Sequence, residues 1–179
     1  MKYVILLRGI NVGGNNKVSM KELKVSLEKA GFTDVLTYIN SGNVIASSNL
    51  PTIEVNGLVE DTVKQTFGFD VYALTIPSAE FQVIAGALPD GWANDTEMRC
   101  DCLFLWRDID TPTVLNSLTA KPDIDRVKYV QGAVIWSVDR KNVTRSGLVK
   151  IIGTPLYKKV TIRNCNTVRK LASLLCTNV

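Results

Sequence analysis

The chain has 179 residues, 46% of them hydrophobic, which is enough apolar surface for one large domain or two small ones with real cores. It contains no histidine, which removes Ser-His-Asp and Cys-His nucleophile pairs and imidazole metal ligands together, so any chemistry must rest on carboxylates, lysine, cysteine or tyrosine. The formal charge of +4 is unevenly spread: residues 1–139 hold 12 basic and 17 acidic side chains, while residues 140–179 hold nine basic and no acidic ones.

That basic segment fits either an anionic partner or a solvated face offset by the acidic remainder. Cys100, Cys102, Cys165 and Cys176 do not make a small secreted framework in a chain able to build a core, and all four are expected as reduced thiols. The apolar run Val4–Leu7 is too short for a signal peptide or a membrane span, so the expected location is cytoplasmic, with no membrane partner.

In chain order, residues 2–7 form a continuous apolar run and predict a buried strand. A polar, glycine-bearing loop follows from Arg8 to Val18. Ser19 with Glu22 is a capping-box signature, and Leu23, Leu27 and Ala30 recur at helical spacing until Gly31. Val35 to Ile39 suits a strand, Ser41-Gly42 a turn, and Asn43 to Ala46 a returning strand. Pro51 opens a second helix that Gly68 ends; Val71 to Ile76 is a strand, and Ser78 caps a third helix running to about Leu88 before Pro89.

The second half repeats the order. Cys102 to Trp106 predicts a strand; Thr111-Pro112 starts a helix through Leu118; Val127–Val130 and Ala133–Val138 flank a Gln131-Gly132 turn. Leu148 to Ile152 reads as helical up to Gly153, Lys159 to Ile162 as the last strand, and Cys165 to Leu175 as a final helix. Short echoes, Tyr38–Ser47 against Tyr129–Ser137 and Leu74–Ile76 against Val160–Ile162, point to duplication. The expected class is α+β: two tandem ferredoxin-like (α-β plait) units with antiparallel sheets, each with an appended helix. The units are expected at residues 1–90 and 98–179, with the boundary in the Pro, Gly, Asn and Asp cluster from Pro89 to Arg99.

The segment Arg8-Gly9-Ile10-Asn11-Val12-Gly13-Gly14-Asn15-Asn16-Lys17 lies between a buried strand and a capped helix, where backbone N–H groups and the helix dipole favour an anion. Gly9 and Gly14 have P-loop spacing, but Asn15 and Asn16 stand where that motif needs Lys and Ser/Thr, which excludes a true NTPase loop. A phosphate cradle and a crossover loop of left-handed glycines and turn-forming asparagines both fit. The aspartate pairs Asp108/Asp110 and Asp123/Asp125 suit turn and cap duty better than a metal, and no metal or cofactor is called for. Cys100 and Cys102 share a strand face but lack zinc or redox spacing, and packing is expected of them. Phe104, Trp106 and Trp136 lack the context of an RNA-stacking sheet and are expected in the core. Asn164 is placed to cap the last helix, and Arg163 to make a salt bridge or to hold a carboxylate or phosphate.

Three stretches, Leu6-Leu7-Arg8-Gly9-Ile10-Asn11-Val12-Gly13-Gly14, Tyr38-Ile39-Asn40-Ser41-Gly42-Asn43-Val44, and Arg163-Asn164 through Asn166-Thr167-Val168, resemble the hallmark segments of a bacterial family catalogued as domain of unknown function 1697. The resemblance runs over essentially the whole chain and implies a pair of ferredoxin-like plaits with no assigned activity. It departs at Cys165, where the family usually has Trp, and at Ser19, where Pro is common. Carried over residue by residue, it nominates Arg8, Asn11, Gly13, Gly14, Lys17, Asn40, Ser41, Asn43, Arg163, Asn164, Asn166 and Thr167 as ligand-binding positions.

The leading expectation is a small phosphate- or carboxylate-bearing ligand held between the two units by the Arg8–Lys17 loop and Arg163. The rival is a nucleic-acid-binding module using the basic C-terminal segment. A transferase-type enzyme using Lys17 or Lys150 comes third, and a protein-interaction role without a ligand fourth.

Overall fold

A computed structural model describes residues 1–177. The chain is a mixed α/β protein with two four-stranded antiparallel sheets and helices. By contacts it divides into two compact units, Met1–Phe81 with the end of the last helix from Ser173, and Gln82–Ala172. The division falls inside two helices, so it differs from a linear cut in the Pro89–Arg99 segment.

In the first unit the elements are β1 (Lys2–Arg8), α1 (Met20–Lys29), β2 (Thr33–Tyr38), β3 (Asn43–Ser47), α2 (Thr52–Phe67) and β4 (Tyr72–Pro77), with sheet order β2-β3-β1-β4. The capping box is realised: the Ser19 hydroxyl accepts from the Glu22 N–H at 3.3 Å. Tyr3, Ile5 and Leu7 on one face of β1 pack with Leu23 and Leu27 of α1 and with Val55, Val59 and Val63 of α2. Each such aliphatic side chain contributes about 1.5–3 kcal/mol by leaving water. The alternate residues Val4 and Leu6 are fully buried too, which is why β1 reads as an unbroken apolar run rather than an alternating one. Pro51 is the residue before α2 rather than its first turn, and Gly68 ends that helix at φ 80°.

β4 is an edge strand, yet its outward N–H groups are not left to water. The Ala73 N–H donates to Glu60 Oε1 at 2.8 Å and the Thr75 N–H to Asn56 Oδ1 at 2.9 Å. Asn56 and Glu60 lie four apart on α2, so one helix face matches the period-two spacing of the strand edge. At the opposite edge the β2–β3 register shifts between Thr33 and Leu36, where Asp34 takes φ 52°.

α3 (Ser78–Gly86) then leads to the second unit: β5 (Met98–Leu105), β6 (Asp125–Val130), β7 (Ala133–Asp139), β8 (Val160–Asn164) and α4 (Cys165–Cys176), with sheet order β6-β7-β5-β8. The strand order repeats that of the first unit, but the helices between strands do not. Where the sequence predicts helices through Leu118 and over 148–152, the chain forms 3-10 segments at Pro112–Ser117 and Gly147–Ile151. Three more, Arg107–Ile109, Arg140–Arg145 and Leu156–Lys159, fall where the sequence predicts no helix. These segments are three to six residues long and are punctuated by Pro112, Gly147, Gly153 and Pro155, which favours brief 3-10 turns over a full α-helix. Val114, Leu148 and Ile151 from them complete the core with Leu103, Leu105, Val134, Trp136 and Val160.

Asp125 ties this unit together. Its carboxylate accepts from Trp136 Nε1 at 3.0 Å, from the Gly147 N–H at 2.9 Å, from the Lys121 N–H at 2.8 Å and from the Ser146 hydroxyl. Burial, the largest single influence, raises its pKa, but these four donors together outweigh it and hold the carboxyl below its ordinary value. Asp110 likewise accepts from the Tyr129 hydroxyl at 3.0 Å and the Gly132 N–H at 2.9 Å, bracing the β6–β7 turn. No helix among the described residues is long and apolar enough to cross a membrane.

Candidate functional site

The loop after β1 is a small hairpin. The Asn11 N–H donates to the Asn16 carbonyl at 3.0 Å and the Asn15 N–H to that of Val12 at 3.2 Å, with Val12 and Asn15 in a β-bridge. Gly9, Asn11, Gly13, Gly14 and Asn16 all have φ between 49° and 81°, a region open mainly to glycine and asparagine. That requirement explains the Gly-Asn composition of the segment without reference to any ligand.

Asn11 is the brace. Its Nδ2 donates to the carbonyls of Val18 at 3.0 Å and Asn40 at 2.8 Å, and its Oδ1 accepts from the Val18 N–H at 2.8 Å. The hairpin is thereby fastened both to the start of α1 and to the β2–β3 turn. In that turn the fully buried Asn43 donates to the Tyr38 carbonyl at 3.0 Å and to the Ser41 hydroxyl at 2.9 Å. A Cβ on Gly42, at φ 77°, would stand 2.8 Å from Leu7 Cβ and 2.8 Å from Ile10 Cδ1, so only glycine closes this approach. Ile39 adopts φ 48°, a costly conformation for a β-branched residue.

Arg8, Asn11, Gly13, Gly14, Lys17, Asn40, Ser41 and Asn43 thus gather at one end of the first sheet, where β1 finishes and β3 begins. They divide into two kinds. Asn11 and Asn43 spend their amides on the scaffold; Gly13, Gly14, Lys17, Asn40 and Ser41 are exposed. Between Met1 and Lys21, and again from Tyr38 to Ser47, there is no acidic residue, and Arg8 and Lys17 are the cations these segments bring to this end of the sheet.

Arg163, Asn164, Asn166 and Thr167 form a second group at the β8–α4 junction, in the other unit. Arg163 is 9% exposed, Nη1 donates to the Ile162 carbonyl at 2.9 Å, and burial pushes its pKa down to about 10. Asn164 caps α4, its Oδ1 accepting from the Thr167 N–H at 2.9 Å, and Asn166 Nδ2 donates to the Asn94 carbonyl at 2.8 Å. The first group sits where β1 ends beside the start of β4. The second sits toward the start of β5 beside the end of β8. On matching strands of the repeated topology the two groups therefore occupy opposite ends, and neither is a copy of the other.

One constellation escaped the sequence. Cys100 and Cys102 are packed into the core as expected, but Cys165 joins them there, with Arg169 Nη1 at 3.6 Å from its sulfur. The shared face of Cys100 and Cys102 is readable from alternation; their meeting with a residue more than sixty positions away depends on the β5–β8 pairing.

Two mixed α/β units with one strand order, and a glycine-asparagine hairpin braced at the end of the first sheet, define the class of protein. The chain belongs to the family of proteins of unknown function designated DUF1697, whose model matches residues 1–136. The Arg163–Val168 stretch lies beyond the matched residues. Among solved structures the chain is similar to "conserved bacterial protein SP0830 from Streptococcus pneumoniae", at 29% identity and a TM-score of 0.79, over 97% of this chain and 98% of that one. No curated protein matches it.

Proposed function

We propose that the chain binds a small phosphate- or carboxylate-bearing ligand at the hairpin end of its first unit. The observation that carries this is a rigidly braced loop with backbone strain at Ile39, exposed glycines and cationic side chains, and no carboxylate in the segments that build it. Strained backbone persists where the surroundings over-determine it, and that concentration at one exposed edge is typical of a binding surface. The first unit carries this site by itself.

Thermal shift across inorganic phosphate, nucleotides, sugar phosphates and small carboxylates is the test. A ligand at a hundred times its Kd adds about 2.7 kcal/mol of stability and raises Tm accordingly. Lys17→Ala should abolish the shift while leaving the unliganded Tm unchanged. No shift with any compound, or one that Lys17→Ala leaves intact, would count against the site.

Nucleic-acid binding by the basic segment is less well supported, because several of its cations are used internally. Arg140 donates to the Asp95 carbonyl and Asn94 Oδ1, Lys159 pairs with Asp108, and Arg169 donates to the Pro89 carbonyl. We infer further that each unit is a ferredoxin-like plait and that the halves 1–90 and 98–179 arose by duplication. The support is the strand order, in which the first and third strands of each unit are neighbours and the fourth flanks the first.

A further inference from the structure

The buried thiols of the second unit have no part in the proposed ligand site, and their arrangement is chemical as well as structural. Asp101 of β5 pairs with Asn164 of β8 as the last pair of that ladder, and Cys100 and Cys165 are the residues that flank it, Cys165 already in α4. Each thiol lies close enough to the other to influence its titration. Cys165 is the first residue of α4, and Arg169 one turn later brings its guanidinium to 3.6 Å from the sulfur.

The consequences for the two sulfurs are opposite. The neighbouring Cys100 thiol and the Arg169 charge lower the pKa of Cys165 against the effect of burial. Cys100 is pushed up, by its Cys165 neighbour and by burial. Cys102, on the same strand face, is raised chiefly by burial. Arg169 beside its sulfur and its place as the first residue of α4 mark Cys165 as the attacking sulfur, with Cys100 to resolve it.

Cys165 lies beneath a strap, residues 89–95. The Trp92 carbonyl is 3.7 Å from its sulfur, the Arg169 Nη2 donates to the Pro89 carbonyl at 2.9 Å, and the exposed Asn166 donates to the Asn94 carbonyl at 2.8 Å. Arg140 holds the same strap, donating to the Asp95 carbonyl at 2.8 Å and to Asn94 Oδ1 at 3.1 Å; its bonds and that of Asn166 lie at the exposed edge, where local opening is easiest.

We propose that Cys165 and Cys100 form a hydroperoxide-oxidisable thiol pair gated by the 89–95 strap. The Cys165 thiolate attacks the terminal oxygen of a hydroperoxide, the O–O bond breaks, and water or an alcohol leaves with one proton, giving a sulfenic acid. The Cys100 sulfur then attacks the Cys165 sulfur, an S–S bond forms, and hydroxide departs as water with the Cys100 proton. Two electrons pass from the two sulfurs to the peroxide, and a small thiol reductant reverses the change.

Peptide mapping of the full chain after hydrogen peroxide treatment tests this. Trypsin cuts after Arg99, Arg107, Arg163 and Arg169, so the disulfide would join Cys100–Arg107 to Asn164–Arg169, with fragmentation placing the bond at Cys100 and dithiothreitol separating the peptides. In Cys100→Ser the sulfenic acid should persist on Cys165 and be captured by dimedone. In Asn166→Ala the oxidation should run about fivefold faster, the effect of losing one strap hydrogen bond. Oxidation confined to the exposed Cys176, a bond to Cys102 instead, or irreversible oxidation of Cys165 with Cys100 still free would overturn the pair. An unchanged rate in Asn166→Ala would overturn the strap as its gate.

Discussion

Replacing Asp125 by alanine removes one carboxylate and strands four donors. Trp136 Nε1, the Ser146 hydroxyl and the Gly147 N–H are buried, and the Lys121 N–H lies nearer the surface. Each buried donor left without an acceptor costs about 1–3 kcal/mol, so Asp125→Ala should lose about 3 kcal/mol or more, a large part of a typical domain's total of about 5–15 kcal/mol. Because the folded carboxyl titrates below its ordinary value, its contribution is fully present above the unfolded pKa and is lost as pH falls through the folded one. Urea unfolding at neutral and acid pH checks both points. The gap between the natural chain and Asp125→Ala should be wide at pH 7 and narrow as pH drops below the carboxylate range. A gap under about 1 kcal/mol at neutral pH would refute the claim that these donors depend on Asp125, and so would a gap indifferent to acid.

Other changes read different parts of the fold. Gly147→Ala would put its Cβ 2.0 Å from the Thr119 carbonyl oxygen, and since both partners are backbone the variant should fail to fold or melt far lower by circular dichroism. Asn164→Ala removes the cap of α4 and should cost about 1 kcal/mol in chemical denaturation. Asn11→Ala unfastens the hairpin from Val18 and Asn40. Amide exchange should accelerate over residues 9–18 and 39–42 while the β1–β4 amides stay protected.

The first unit was largely legible because its signals are local. Ser19 with Glu22 caps a helix in any setting, Gly68 ends one, and the unbroken apolar β1 announces a strand buried on both faces. The second unit was legible in its strands and misleading between them. Apolar residues at helical spacing from Val114 and from Leu148 did mark core positions, but the turns around them were too short and too punctuated by proline and glycine to hold an α-helix. β5 begins at Met98, four residues before the predicted start, because Arg99 and Asp101 alternate with Cys100 and Cys102 and hide the strand's polar-looking first half.

The candidate site divides along the same line. Gly-Asn spacing correctly located a loop of left-handed residues, whereas the scaffold duty of Asn11 and Asn43 depends in part on the Val18, Asn40 and Tyr38 carbonyls, seven, 29 and five residues away. Asp125 was expected at a turn or cap; that it gathers donors from three separate segments could not be read from its neighbours in sequence. The Cys165 cluster was invisible for the same reason.

The two guarded margins of the first sheet have a consequence for how the protein behaves in a crowded solution. An exposed strand margin is a template on which a second chain can pair, but here Asn56 and Glu60 have taken the outward amides of β4, and the kink at Asp34 bends β2 away from straight alignment. The β4 margin is therefore closed to a further strand by two polar side chains, and the β2 margin is interrupted by a register shift. Loss of the α2 pair, with little change to the interior, would turn a self-limited four-stranded unit into one that can be extended by its neighbours.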